Sequence, residues 1–347
     1  MTAAGAGRGM RPIASAGIFA AALALVFPAR AQTPAEFYRG KTVNLDIGSS
    51  VGGGYDIHGR LLARHIGKHI PGNPTIIPRN VEGAGGLRLA NILYNSAPRD
   101  GTAFGIVFRS IPFDPLFGNK AAQFDATKFS WIGSTSNEVS ICVAWHTSGV
   151  ASIDDLRKTD LVVGSTGNNA DTSIFAKVIN GVLGTRMKVV TGYPGGNEIS
   201  LALERGELGG RCAWSWSAVK ATRISWIDQK QMHVLVQLGL NKHPDLPHVP
   251  LVVDLAKTPD ERNIARLVFA RQEFAWPFVA PPGVPKDRTD ALRAAFDATM
   301  KDPAYLAEAE KAKLEIMPVA GESIARLIAE LYATPAQVVQ KTADMIK

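Results

Sequence analysis

The stretch Asp46–Ile70, "DIGSSVGGGYDIHGRLLARHIGKHI", sets three consecutive glycines between a short apolar run and a helical pattern. "TVNLDIG" reads as a strand. Beyond the glycines, Ile57, Leu61, Leu62, Ile66 and Ile70 recur on one helical face, with Asp56 expected to cap the helix. Glycine removes side chains and admits backbone conformations closed to other residues. Main-chain N–H groups at such a helix mouth can therefore face an anion, helped by the helix dipole. A tight strand-to-helix turn would use the same glycines without any ligand. A phosphate loop is excluded: no G-x-x-x-x-G-K-[ST] occurs, and Ile57 stands where G-x-G-x-x-G needs glycine.

The same grammar continues outward. "NPTIIPRNV" and "GTAFGIVF" read as strands around the helix "GGLRLANILYNSAP", which Pro98 stops. The pattern restarts with strand "DLVVGST", helix "DTSIFAKVINGVLG", strand "MKVVTGY", helix "NEISLALERG", and the strand-like runs "ELGGRCAW" and "MHVLVQLGL". Strand–helix–strand alternation with short connections predicts α/β units with mostly parallel sheets flanked by helices. The second unit is inserted in the first. We expect one domain from residues 32–141 and 246–347, and another from 142–245. The tail reads as a strand, "WPFVAPPGVPKD", then amphipathic helices. Their return to the first domain would leave two crossings and a cleft at the hinge.

Arg8 and Arg11 precede an uncharged run ending at Phe27, and Ala29 and Ala31 give an A-x-A site, so residues 1–31 are expected to be a cleaved signal peptide. Three arginines and no acid leave with it, reducing the formal charge from +7 to a mild basic excess. No basic block with interleaved aromatics points to nucleic acid. The bases between Arg60 and Lys68 read as a solvated helix face. Cys142 and Cys212 show no metal-ligand spacing and could be bridged or free after export.

In an α/β sheet, ligands gather where strands end and helices begin. Three loops qualify. The first runs from Gly48 to Asp56 and offers Ser49, Gly52, Gly53, Gly54, Tyr55 and Asp56. The second, "GSTGNNADT", offers Thr166, Gly167, Asn168 and Asn169 as neutral donors, with Asp171 read as an N-cap. The third, "TGYPGGNE", offers Tyr193, Gly195 and Gly196, which a Pro-Gly turn would equally explain. Arg109, Ser110, Trp214 and Ser215 follow strand-like runs. Arg109 is a candidate for a bidentate grip on a carboxylate, or an ordinary surface arginine.

Catalytic signatures are lacking. There is no G-x-S-x-G, no sequence tie between a cysteine and a histidine, and no H-E-x-x-H around His58, His65 and His69. Those histidines read as solvated or capping; neither metal nor cofactor is expected.

"GGGYD", "EGAGGLRLAN…APRDGT", "GSTGNNADT", "YPGG…ERGEL" and "FVAPPGVPKD" occur in an order that resembles the Bug-type (TctC-like) periplasmic receptors of tripartite tricarboxylate transporters, from about Ala35 to Ile346. The resemblance implies a two-domain, hinged periplasmic binding protein of the Venus-flytrap type. It implies a small carboxylate held by backbone amides and water at Gly52, Gly53, Gly54 and Asp56 on one side, and at Thr166, Gly167 and Asn168 on the other. Departures are Val51 for a usual Pro, Tyr55 for Thr, Asp171 for a frequent His, a lost basic residue near Pro194, and Ala202 for a common Asp. They leave a citrate-like acid, a dicarboxylate or an aromatic acid open. A monomeric receptor delivering its ligand to membrane permease subunits is the implied role. A periplasmic sensor subunit for a signalling kinase and an exported small-ester hydrolase are the alternatives.

Overall fold

Val43, Leu45 and Ile47 are wholly buried in the strand β1 (Thr42–Ile47), and around it a computed structural model builds the first of two sheets. The structure describes residues 32–49, 51–168, 170–193 and 195–347, with Gly5, Gly7 and Gly9. Those glycines apart, the expected signal segment lies outside the described residues. β2 (Thr75–Asn80) and β3 (Ala103–Ile106) pair parallel with β1 on either side. β4 (Ser130–Ser134) is the last strand before the chain leaves for the second sheet.

The second sheet contains β5 (Ser140–Trp145), β6 (Leu161–Gly164), β7 (Met187–Val190), β8 (Gly210–Ser215) and β9 (Met232–Leu238), in the order β7-β6-β8-β5-β9. β10 (Pro277–Ala280) and β11 (Val319–Ala320) then complete the first sheet, whose order is β11-β4-β10-β3-β1-β2. Both sheets are mixed rather than mostly parallel. β10 runs antiparallel to β3 and β4, and β5 antiparallel to β8 and β9. The hinge is the reason. β10 re-enters the first sheet from the end at which β4 leaves it, and β5 enters the second from the end at which β6, β7 and β8 finish. The carboxyl ends of β1, β3, β6 and β8 therefore face one another across the junction.

The two hinge connections lie side by side. The Glu138 amide donates to the Gln272 carbonyl at 2.8 Å and the Ala275 amide to the Ser136 carbonyl at 3.1 Å. The tail helices divide between the cores. Leu292, Ala295 and Phe296 of the Lys286–Thr299 helix pack with β1 and β10. Ile264, Val268 and Phe269 of the Pro259–Phe269 helix, and Val338 of the Ala336–Ile346 helix, instead join Val163, Phe175 and Val178 in the second core. The chain thus crosses a third time at Pro335.

Cys142 and Cys212 form a disulfide between the neighbours β5 and β8, settling the choice the sequence left open. The basic face that runs from the Gly54–Ile66 helix into the 3-10 turn Gly67–His69 is not simply solvated. Arg64 and His65 pair with Glu308 at 2.5 and 2.7 Å, and Lys68 and His69 pair with Asp302.

Candidate functional site

The glycine loop turns at Gly52, whose φ of +82° favours a residue without a Cβ. Its helix starts at Gly54 with Gly53 as N-cap, so Asp56 lies inside the first turn rather than capping it. Asp56 is buried and braces the loop. It accepts from the Gly52 amide at 2.9 Å and from Arg60 and Asn80 at 2.8 Å each. Burial alone would raise its carboxyl, but those donors hold it below the usual range. The Ser49 carbonyl accepts from Asn80 at 2.8 Å. The leading amides of the helix, from Gly54 onward, have no intrahelical acceptor.

Tyr55 closes one wall. Its ring stacks on Phe108 at 4.3 Å and meets Trp276 edge-on at 4.8 Å, while its hydroxyl accepts from the Arg109 amide at 3.1 Å. His58 is neither solvated nor capping. It lies buried against Trp276 at 4.2 Å, with Nδ1 at 2.9 Å from the Thr135 hydroxyl, and burial pushes its pKa down to about 3. This histidine is a neutral, hydrogen-bonded ring.

The second loop satisfies much of itself. The Ser165 hydroxyl donates to the Gly167 carbonyl at 3.0 Å and accepts from the Gly167 amide at 3.2 Å. The Thr166 amide donates to the Thr172 hydroxyl at 3.3 Å. Thr166 and Asn168 are exposed; Asn169 lies outside the described residues. Ala170, not Asp171, is the N-cap of the Asp171–Leu183 helix.

Asp171 crosses the junction instead. One carboxylate oxygen accepts from Arg109 Nη2 at 2.7 Å and Nε at 3.2 Å, and the other from Arg271 Nη1 at 3.0 Å. Arg109 follows β3 in the first lobe, Asp171 opens a helix of the second, and Arg271 lies in the returning connection. Burial would raise the Asp171 carboxyl, yet the two guanidiniums carry it below its ordinary value. Arg109 spends its remaining Nη1 on Gln272 at 2.7 Å.

In the third loop, the Tyr193 amide donates to the Ser165 carbonyl at 3.2 Å, joining loops two and three. Gly195 caps the Gly196–Glu204 helix in extended backbone, and the Gly196 carbonyl accepts from Arg211 Nη1 at 2.8 Å. Trp214 is buried in a core with Trp145 and Trp226 rather than lining a crevice. Trp216 is buried as well and donates to Asp245 at 3.1 Å. Ser215 caps the Trp216–Thr222 helix and touches the Ser217 hydroxyl at 2.8 Å, which donates to Glu138 of the hinge.

A cavity of about 630 Å³ opens between Phe113 and Phe117 of the first lobe and Ile174 and Ile346 of the second core, with Arg271 and Asp114 among its walls. Of the expected binding residues, Ser110 lines it. Arg271 and Arg211 were missed in the sequence. Arg271 sits in "FARQEF", which carries no motif. Arg211 left a signal in "GGRCAW": a single charge inside an apolar strand. Among the described residues there is no group of three His, Cys, Asp or Glu able to hold a metal, and no helix long and apolar enough to cross a membrane.

A profile of the family described as "Tripartite tricarboxylate transporter family receptor" (TctC) matches residues 59–343. The chain is 25% identical to the "UPF0065 protein in gbd 5'region" of Cupriavidus necator, covering 95% of this chain and 96% of the other. It is similar in fold to a ligand-free TctC solute binding protein from Polaromonas, with a TM-score of 0.68 at 17% identity over 88% of this chain and 99% of that one. The R. palustris protein Rpa4515, solved with adipate, gives a TM-score of 0.61 at 18% identity over 88% and 97%.

Proposed function

Because the chain belongs to the tripartite tricarboxylate transporter receptor family, we propose that it is a periplasmic receptor that captures a small organic carboxylate between its lobes. It hands the closed, loaded form to membrane permease subunits and makes or breaks no covalent bond. The observation that carries this reading is the convergence of strand ends. The loops after β1 and β3 meet those after β6 and β8 at one hinged junction, where open α/β sheets bind ligands. Adipate in a protein of similar fold supports a carboxylate.

The moving bodies are the first sheet with its helices, and the second sheet with residues 252–269 and 336–346. Ligand biases their closure by touching both. A thermal-shift panel of mono-, di- and aromatic carboxylates on the purified protein tests the reading. Binding stabilises a receptor by about 2.7 kcal/mol at a hundredfold excess over Kd. A panel in which no carboxylate moves the melting point, or in which one emerges chemically altered, would overturn it.

A further inference from the structure

We propose that the ligand's carboxylate is received on the second lobe by Arg211, with Arg223 beside it, and that Arg109 does not receive it. This rests on the receptor reading above and deepens it by naming where the anion goes.

The charges divide sharply. Arg109 and Arg271 already share the Asp171 carboxylate, and Arg109 has Gln272 as well. A ligand carboxylate there would have to displace a tethered one. Arg211 has no acid beside it among the described residues. It is 9% exposed, and its Nη1 donates only to the Gly196 carbonyl at 2.8 Å and the Ser200 hydroxyl at 3.0 Å. Its Nε is buried without an acceptor, and so is the Nε of Arg223.

Both guanidiniums lie on tryptophans, Arg211 over Trp214 at 4.1 Å and Arg223 over Trp226 at 5.1 Å. The two indoles meet edge-on at 6.0 Å. A row of arginine, tryptophan, tryptophan and arginine thus holds two like charges on an apolar bed. Burial, and then the charge of Arg223, push the Arg211 pKa down to about 10. Arg211 stays charged at neutral pH without a counter-ion, a costly state that an incoming anion relieves.

Position agrees with charge. Val163 of β6 pairs with Gly210, so Arg211, the second residue of β8, stands level with the carboxyl end of β6 rather than with that of β8. The helix after β6 packs on one face of the sheet through Phe175 and Val178; the helix after β8 packs on the other through Val219. Oppositely departing helices open a crevice between neighbouring strands. Gly196 makes room for the guanidinium: a Cβ there would lie 2.5 Å from Arg211 Nη2. The planar fork suits a carboxylate, and the buried indoles hold it in place from behind.

Calorimetric titration of the purified protein with succinate, adipate and benzoate provides the test, alongside crystals soaked in bromide. We expect Arg211→Gln to weaken whichever of these acids binds by at least roughly tenfold, with Arg211→Lys intermediate because it keeps charge but not the fork. Bromide should scatter anomalously beside Arg211 Nη2. Arg223→Gln, at a partly exposed position, weakens binding as well and serves if Arg211→Gln fails to fold. Unchanged affinity in both glutamine variants, or bromide beside Arg109 alone, overturns the proposal. If no acid binds the wild type, the carboxylate reading falls. Bromide at Arg211 would then still support an anion site there, and its absence would sink that too.

Discussion

Asp171 shows how one side chain can change the meaning of a site. Read in sequence it caps a helix; in the fold its carboxylate holds Arg109 and Arg271 together across the lobes. The Arg271 side chain is 3% exposed, so removing its counter-charge strands a buried cation. Asp171→Asn is expected to cost about 3–5 kcal/mol in chemical denaturation. A loss well under about 1 kcal/mol would mean that the bridge contributes little.

His58 gives the matching expectation in pH. Its native pKa of about 3 lies below the ordinary value near 6.5, so the unfolded chain binds the proton first as pH falls between them. Stability drains over that window and is fully present above it. His58→Phe keeps an aromatic face for Trp276 and removes the titration. The stability difference between pH 7 and pH 4 should then shrink by on the order of 3 kcal/mol. An unaltered pH profile would assign the acid sensitivity elsewhere.

At the scale of elements, what the sequence disclosed followed periodicity. The helices at Gly54–Ile66, Leu87–Asn95 and Asp171–Leu183 and the parallel strands β1, β3 and β6 announce themselves by apolar spacing and glycine turns. β4 and β5 do not. They are short and wholly or nearly wholly buried, so no alternation marks them. The antiparallel entries of β5 and β10 depend on where a distant segment leaves the other sheet, which no local window contains.

Close approaches between elements are equally silent. Gly321 opens the Gly321–Tyr332 helix against β4, where a Cβ would lie 2.2 Å from the Trp131 carbonyl oxygen and 2.7 Å from that of Ile132. Backbone hydrogen-bonded in a sheet cannot step aside as a side chain can. Gly321→Ala should therefore lose at least about 2 kcal/mol of stability, although alanine is the better helix former. A neutral or stabilised variant would show that the helix can lift off the strand.

At the scale of the molecule, the glycine loops were legible as a place and only partly as a chemistry. Gly52, Thr166 and Gly167 donate within their own loops, and Trp214 serves the core. Arg211, to which we assign the ligand's carboxylate, and Arg271, which holds Asp171, come from a strand and a connection without motif. Sequence order could suggest that two lobes face one another; only the folded chain shows which arginines already have a partner. The Pro259–Phe269 and Ala336–Ile346 helices pack on the second core, so in the proposed closure they would move with the second sheet.

The most direct measurement is a crystal structure of the protein with the carboxylate that gives the largest thermal shift. The account predicts that acid between the lobes, touching the Gly48–Asp56 loop on one side and the second lobe near Gly196 on the other. The same acid bound to the outer face of a single lobe, with the junction empty, would contradict it.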